Sequence, residues 1–201
     1  MSRIVNTLTD YVIKKGMVNE KERSVYEYGF LVMLETALSL LISLVIASLL
    51  HMFIEGILFF IIFIPLRSYA GGLHLDKYLS CLILSCLTFS VVLLIVKVFI
   101  FPVLLLFVIF LVLILSVWLL YPVDNINRSV DIEEEHYFKK RLLKFLILDL
   151  IIVIGCVILL KDKYLLLITA TFLMMLISMM LGKYKNRKVR LSSNKKVNRF
   201  N

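Results

Sequence analysis

From residue 30 onward the chain alternates between long apolar runs and short polar breaks. The runs cover residues 30–50, 53–66, 79–96, 101–121, 142–160 and 164–182. Most of them approach or exceed the ~18 residues that suggest a transmembrane helix. The second is short. As a helix it reaches roughly 21 Å, less than the ~30 Å hydrocarbon core. Either it takes in residues 67–70 at its end, or it dips into the bilayer and returns. Pro65 is expected to kink or end it. The fold predicted is all-α: a polytopic transmembrane protein of about six apolar segments, the second short or re-entrant.

The lead-in has a different pattern. Within residues 2–28, Ile4, Val5, Leu8, Tyr11 and Val12 recur at helical spacing, followed by Lys14 and Lys15, with Gly16 as a stop. Asn19 with Glu22 three residues on resembles a helix start. This amphipathic lead either lies on an anionic membrane surface or is a solvated lead-in. It has no short apolar run with a small-residue cleavage site, so no removable signal peptide is expected. The chain divides into a lead (1–29), a membrane domain carrying the chemistry (30–182) and a basic tail (183–201) expected to be disordered.

Composition agrees with this pattern. The chain is 61% hydrophobic and its mean hydropathy is +0.97, well beyond a soluble domain's usual ~45–50% apolar content. Charged residues, at 18%, are too few to cover a soluble helical core. The net charge of +9 raises a nucleic-acid reading, but the basic residues cluster in breaks and at run ends, as membrane anchors do. The expected contact is lipid, with no nucleic acid. With the N-terminus inside, the outer breaks hold only Lys97, Lys161 and Lys163, leaving 20 of the 23 Lys and Arg on the inner side. Both termini and the break after the second run are therefore expected to face the cytoplasm.

Three cysteines, Cys81, Cys86 and Cys156, show no paired spacing. Neither a disulfide framework, a structural zinc site nor any other metal or cofactor is predicted.

The break after the second run reads Arg67-Ser-Tyr-Ala-Gly-Gly-Leu-His-Leu-Asp-Lys-Tyr-Leu-Ser-Cys81. Cys81 sits at a membrane boundary, where water and a peptide can both arrive. Cys86 falls five residues deeper, and Cys156 is mid-run. His74 precedes Cys81 by seven residues. In one straight helix the two would lie about 10 Å apart along the axis, too far for a nucleophile–base hydrogen bond. A working pair needs a bend, for which Gly71 and Gly72 supply freedom. A thiol is only a few per cent ionised at neutral pH, and a neighbouring His or Arg raises that fraction. Arg67 offers a fixed charge for a substrate carboxylate or an oxyanion. The Gly-Gly amides are candidate anion donors, and Asp76 a candidate orienter of the imidazole. Cys86 and Cys156 carry the bland reading of small buried hydrophobes.

The run Arg67-x-Tyr69-Ala70-Gly71-Gly72-x-His74-x6-Cys81 resembles the hallmark of the accessory gene regulator B family of Gram-positive bacteria. Tyr28-Gly29 at the first run and Tyr121-Pro-Val-Asp-Asn after the fourth resemble it further. So does the overall plan, and the resemblance covers essentially the whole chain. It implies a membrane cysteine endopeptidase that removes the C-terminal tail of a short quorum-sensing propeptide. Cys81 would be the nucleophile and His74 the general base, with Arg67 and Gly72 supporting the site. The thioester left on Cys81 would close to a thiolactone or lactone ring. The resemblance assigns no third catalytic residue.

Other residues are weaker candidates. Glu35 and Asp149 are ionisable groups within or near apolar runs, which makes them functional candidates. Glu35 is placed to bind substrate, orient His74 or pair with Arg67. Asp149 is open to pairing with Lys144 or an adjacent helix. Lys139, Lys140 and Arg141 are positive-inside anchors, or a dock for an acidic propeptide tail of the kind the family resemblance implies. His51 and His136 lack partner patterns. The Met-rich run 173–180 reads as lipid-facing or packing. A homodimer is left open, with no GxxxG-type motif in its favour. The competing function is a small peptide exporter without protease activity, in which Arg67, His74 and Glu35 line a path. A third reading is a membrane scaffold.

Overall fold

The computed structural model describes residues 2–73, 78–122 and 132–197. Their secondary structure is helical. The elements are α1 (Ser2–Lys14), a 3-10 turn (Glu20–Glu22), α2 (Arg23–Leu49), α3 (Phe53–Ala70), α4 (Tyr78–Val98), α5 (Val103–Leu120), α6 (Ile132–Ile158) and α7 (Asp162–Val197). Five segments are long and apolar enough to cross a membrane: Glu20–Leu49, Phe53–Ala70, Leu79–Val98, Val103–Leu120 and Asp162–Lys188. The sixth apolar run lies in α6, which carries Arg141, Lys144 and Asp149.

Several boundaries differ from the apolar pattern. The first membrane helix starts at Arg23, seven residues before the run, because the polar residues 23–28 extend its N-terminal end without breaking it. The short second run does take in residues 67–70. The resulting 18-residue helix reaches roughly 27 Å, and Pro65 lies inside it without ending it. The basic tail, expected to be disordered, continues α7 as far as Val197.

At the N-terminus, α1 packs on α2. Gly16, at φ 69°, ends the turn that follows α1. Asn19 caps the 3-10 turn through the Lys21 amide. Arg23 then ties the lead together, reaching Asp10 (2.5 Å), Glu20 (3.1 Å) and Glu27 (2.9 Å). Of the apolar set predicted to share one face, Val5 is buried while Ile4 and Tyr11 are exposed.

The centre of the bundle is α7, which touches α3, α4, α5 and α6. Its apolar stretch is 61% buried, against 11% for α2, so α7 is wrapped by protein and α2 presents most of its surface outward. In lipid, where apolar burial gives helices little reason to associate, fit decides the contacts. At Gly56 of α3 the place of a Cβ lies 2.8 Å from the Ala47 Cβ of α2 and 3.1 Å from the Phe89 ring of α4, so glycine permits that three-helix contact. Phe89 stacks on Phe60 (5.0 Å) and meets Phe59 edge-on (5.2 Å), while Phe110 meets Phe172 edge-on (4.9 Å). Met175 and Met179 are fully buried, so packing accounts for this part of the Met-rich run.

The short connections before α3, α5 and α7 meet at one end of the bundle. They line a cavity of about 370 Å³ that includes His51, Lys97, Phe101, Asp162 and Lys163. There the Lys97 Nζ donates to the Leu50 carbonyl (3.0 Å) and Lys163 pairs with the buried Glu55 (2.5 Å).

Candidate functional site

Residues 67–73 and Cys81 lie at the opposite end of the bundle, and each motif position before residue 74 has a packing reason. Arg67 lies in the last turn of α3. Tyr69 points to α6 and stacks on Phe145 at 5.6 Å. Ala70 is 1% exposed and belongs to the packed core. The Gly71 amide closes the final turn on the Arg67 carbonyl at 3.2 Å, so that amide is not the anion donor anticipated from sequence. Gly71 then leaves the helix at φ 82°, a conformation that favours glycine.

Gly72, at φ 152°, is pressed between α3 and α7. A Cβ on it would lie 2.5 Å from Arg67 Nη1 and 2.9 Å from Ser178 Oγ. On the other side, a Cβ on Gly182 would lie 2.9 Å from the Gly72 carbonyl carbon and 3.1 Å from the Leu73 nitrogen. The loop backbone thus rests directly on the α7 backbone, through glycine on both surfaces.

Polar contacts fix the same contact region. The Arg67 Nη1 donates to Ser178 Oγ at 2.7 Å. Its Nη2 donates to the Leu73 carbonyl. The Leu73 amide donates to the same Ser178 oxygen at 3.2 Å. The guanidinium is therefore engaged at both terminal nitrogens, with protein partners rather than an open carboxylate pocket. Glu35, half-buried in α2, is not among its hydrogen-bond partners.

Cys81 lies in the first turn of α4, at the end of the bundle that carries Arg67 in the last turn of α3. Burial does not single it out, since Cys81, Cys86 and Cys156 are all partly buried and free. What distinguishes Cys81 is its place in the first turn of α4, whereas Cys86 lies deeper in α4 and Cys156 lies in α6. His74 and Asp76 lie outside the described residues, as do 123–125 of the second motif and Arg128.

The basic cluster lies on the exposed face of the first half of α6. Lys139 sits over the Trp118 ring of α5 (5.4 Å), and Arg141 engages Tyr137 through the ring (5.1 Å) and its hydroxyl (3.0 Å). Lys140 is exposed beside them. Asp149 is 5% exposed, and among the described residues it has neither an ion pair nor a hydrogen bond; Lys144 is exposed. The cavity at the far end contains neither Arg67 nor Cys81. Among the described residues no cluster of His, Cys, Asp and Glu is arranged to hold a metal ion.

Sequence reasoning did not single out Ser178 or Gly182. The available signal was the small-xxx-small pair Ser178-Met-Met-Leu-Gly182, which puts both residues on one face of a helix.

These features define a polytopic helical membrane protein whose cysteine-bearing end is built by α3, α4 and α7 together. The family model of accessory gene regulator B matches residues 5–180. The chain belongs to the accessory gene regulator B family, which supports a role in processing a quorum-sensing propeptide. No curated protein and no solved structure matches the chain significantly.

Proposed function

We propose that this protein is a cysteine endopeptidase that cuts the C-terminal tail from a short quorum-sensing propeptide and promotes closure of the remaining peptide into a ring. The reading is carried by membership of the family together with the place of Cys81 in the first turn of α4, at the end of the bundle where Ser178 and the Leu73 backbone anchor Arg67. In this reading the Cys81 sulfur attacks the scissile carbonyl. His74 takes the thiol proton and returns it to the leaving amine, and the tail departs. The peptide is left as a thioester on Cys81. A thiol or hydroxyl within the peptide then attacks that carbonyl, forming the ring and returning Cys81 as a thiol. The thioester keeps the acyl group activated, so ring closure needs no further energy source. Shielding by the bilayer slows attack by water.

Arg67 holds the loop and supplies the cation at the site. Gly71 and Gly72 let the chain turn there, and Lys139, Lys140 and Arg141 receive an acidic tail. The loop, both termini and the basic cluster face the cytoplasm in this reading, as the Lys and Arg distribution favours.

The test uses the protein in liposomes with a synthetic propeptide taken from the short reading frame beside its gene, followed by mass. Loss of the tail with wild type and Cys86→Ser, but not with Cys81→Ser or His74→Ala, is the expected result. Cleavage that survives Cys81→Ser, or an intact peptide with folded wild type, rejects the peptidase and leaves the exporter reading.

A further inference from the structure

We infer that Ser178, seated above Gly182 on α7, is a positioning residue of the site: its hydroxyl fixes the Arg67 guanidinium and the Leu73 amide in one arrangement at the end of the bundle where α4 begins and carries Cys81. The inference deepens the proposed peptidase reading and rests on Cys81 as its nucleophile.

A serine oxygen has two acceptor sites. Here it takes a hydrogen bond from Arg67 Nη1 (2.7 Å) and another from the Leu73 N–H (3.2 Å). Arg67 in turn donates to the Leu73 carbonyl. One hydroxyl therefore joins three points: the last turn of α3, the backbone of the loop and the middle of α7. Without it, a partly buried guanidinium and a backbone amide both lose a partner, which is costlier than losing an exposed contact. Gly182, one turn further along α7, supplies the gap that lets the loop backbone come within reach of that oxygen. The two residues act together, because removing the gap lifts the amide away from the hydroxyl.

A packing serine and a positioning serine make different predictions. If Ser178 only filled space, alanine would serve and threonine would crowd. If it positions Arg67 and the loop, alanine harms turnover while threonine, which keeps the oxygen, restores it.

The experiment uses the full chain in lipid nanodiscs, in a Cys86→Ser, Cys156→Ser background that leaves Cys81 as the single thiol. Ser178→Ala, Ser178→Thr, Arg67→Lys and the Ser178→Ala, Arg67→Lys double variant are compared in propeptide cleavage and in the rate of Cys81 alkylation by iodoacetamide at fixed pH. Unfolding temperature is followed in parallel. Ser178→Ala is expected to lower kcat about 10- to 100-fold with KM within about twofold, as small misplacements of reacting groups do. It is also expected to slow alkylation, because the guanidinium loses its fixed place at the Cys81 end of the bundle. Ser178→Thr restores both rates, and the double variant is no slower than the worse single variant, since the two side chains act as a unit.

Wild-type rates in Ser178→Ala overturn the inference. So does a natively melting Ser178→Thr that fails to restore them. If Ser178→Ala does not fold, Arg67→Lys with unchanged alkylation overturns it instead. If wild type cuts no propeptide, the peptidase reading falls, while the alkylation rates still decide the positioning role.

Discussion

Arg67 and Ser178 are separated by 111 residues of chain and joined by a 2.7 Å hydrogen bond. The contact draws the last turn of α3 onto α7 at the end of the bundle where α4 begins and carries Cys81. It makes the central helix, which bears no motif residue, part of the site's frame.

Arg67→Lys is expected to be a severe change despite preserving charge. The guanidinium reaches Ser178 and the Leu73 carbonyl with two separate nitrogens. A lysine ammonium is a point charge and cannot reproduce that fork. Propeptide cleavage should fall at least about 10-fold, with the larger effect in kcat. Steady-state kinetics in nanodiscs check this, and an Arg67→Lys enzyme at wild-type kcat would show that the fork is dispensable.

Gly56→Ala should loosen the contact of α2, α3 and α4, since the added methyl meets the Ala47 Cβ at 2.8 Å. Overpacking of this kind costs about 1–3 kcal/mol. Adding Ala47→Gly moves the methyl to the other helix and should recover most of the loss. Thermal unfolding of both single variants and the double variant reads this out. Additive losses would mean that the two positions do not share one gap.

The Glu55–Lys163 pair is expected to matter for stability alone. The Glu55 side chain is 8% exposed and that of Lys163 48%, so removing the lysine leaves a nearly buried carboxylate without its partner. Lys163→Met should destabilise by about 1–3 kcal/mol, the solvent on the lysine side reducing the full cost of an unpaired buried charge. The Glu55→Gln, Lys163→Met double variant should unfold at a higher temperature than Lys163→Met alone. Cleavage by the folded fraction should stay at the wild-type rate, because the pair lies at the end of the bundle away from Cys81.

The basic cluster makes a prediction about salt. Lys140→Glu with Arg141→Glu should raise KM for an acidic-tailed propeptide several-fold at low ionic strength, and the difference should shrink as salt approaches ~1 M. A peptide with its tail acids replaced by amides should lose the salt dependence in wild type. Equal KM for both enzymes at low salt would return these residues to membrane anchoring.

Much of this architecture is a local property of the chain. A membrane helix satisfies its own backbone hydrogen bonds, so each apolar run signals itself without reference to its neighbours. That is why the all-helical membrane fold and the short second run were legible in the residues alone, while the Arg67-to-Cys81 constellation showed itself as a polar break between runs. The exact ends were less so. Arg67–Ala70 and residues 183–197 are polar or mixed, and their helicity depends on what they extend.

Only the tertiary structure decided which helix stands behind the loop. In lipid the spans are apolar on every face, so periodicity does not mark the face that packs, and association falls to small residues and a few polar contacts. Ser178 and Gly182 are such residues, inconspicuous within a run of methionines and leucines. Their importance comes from the Arg67 guanidinium and the Gly72 backbone that fold against them from the other half of the chain.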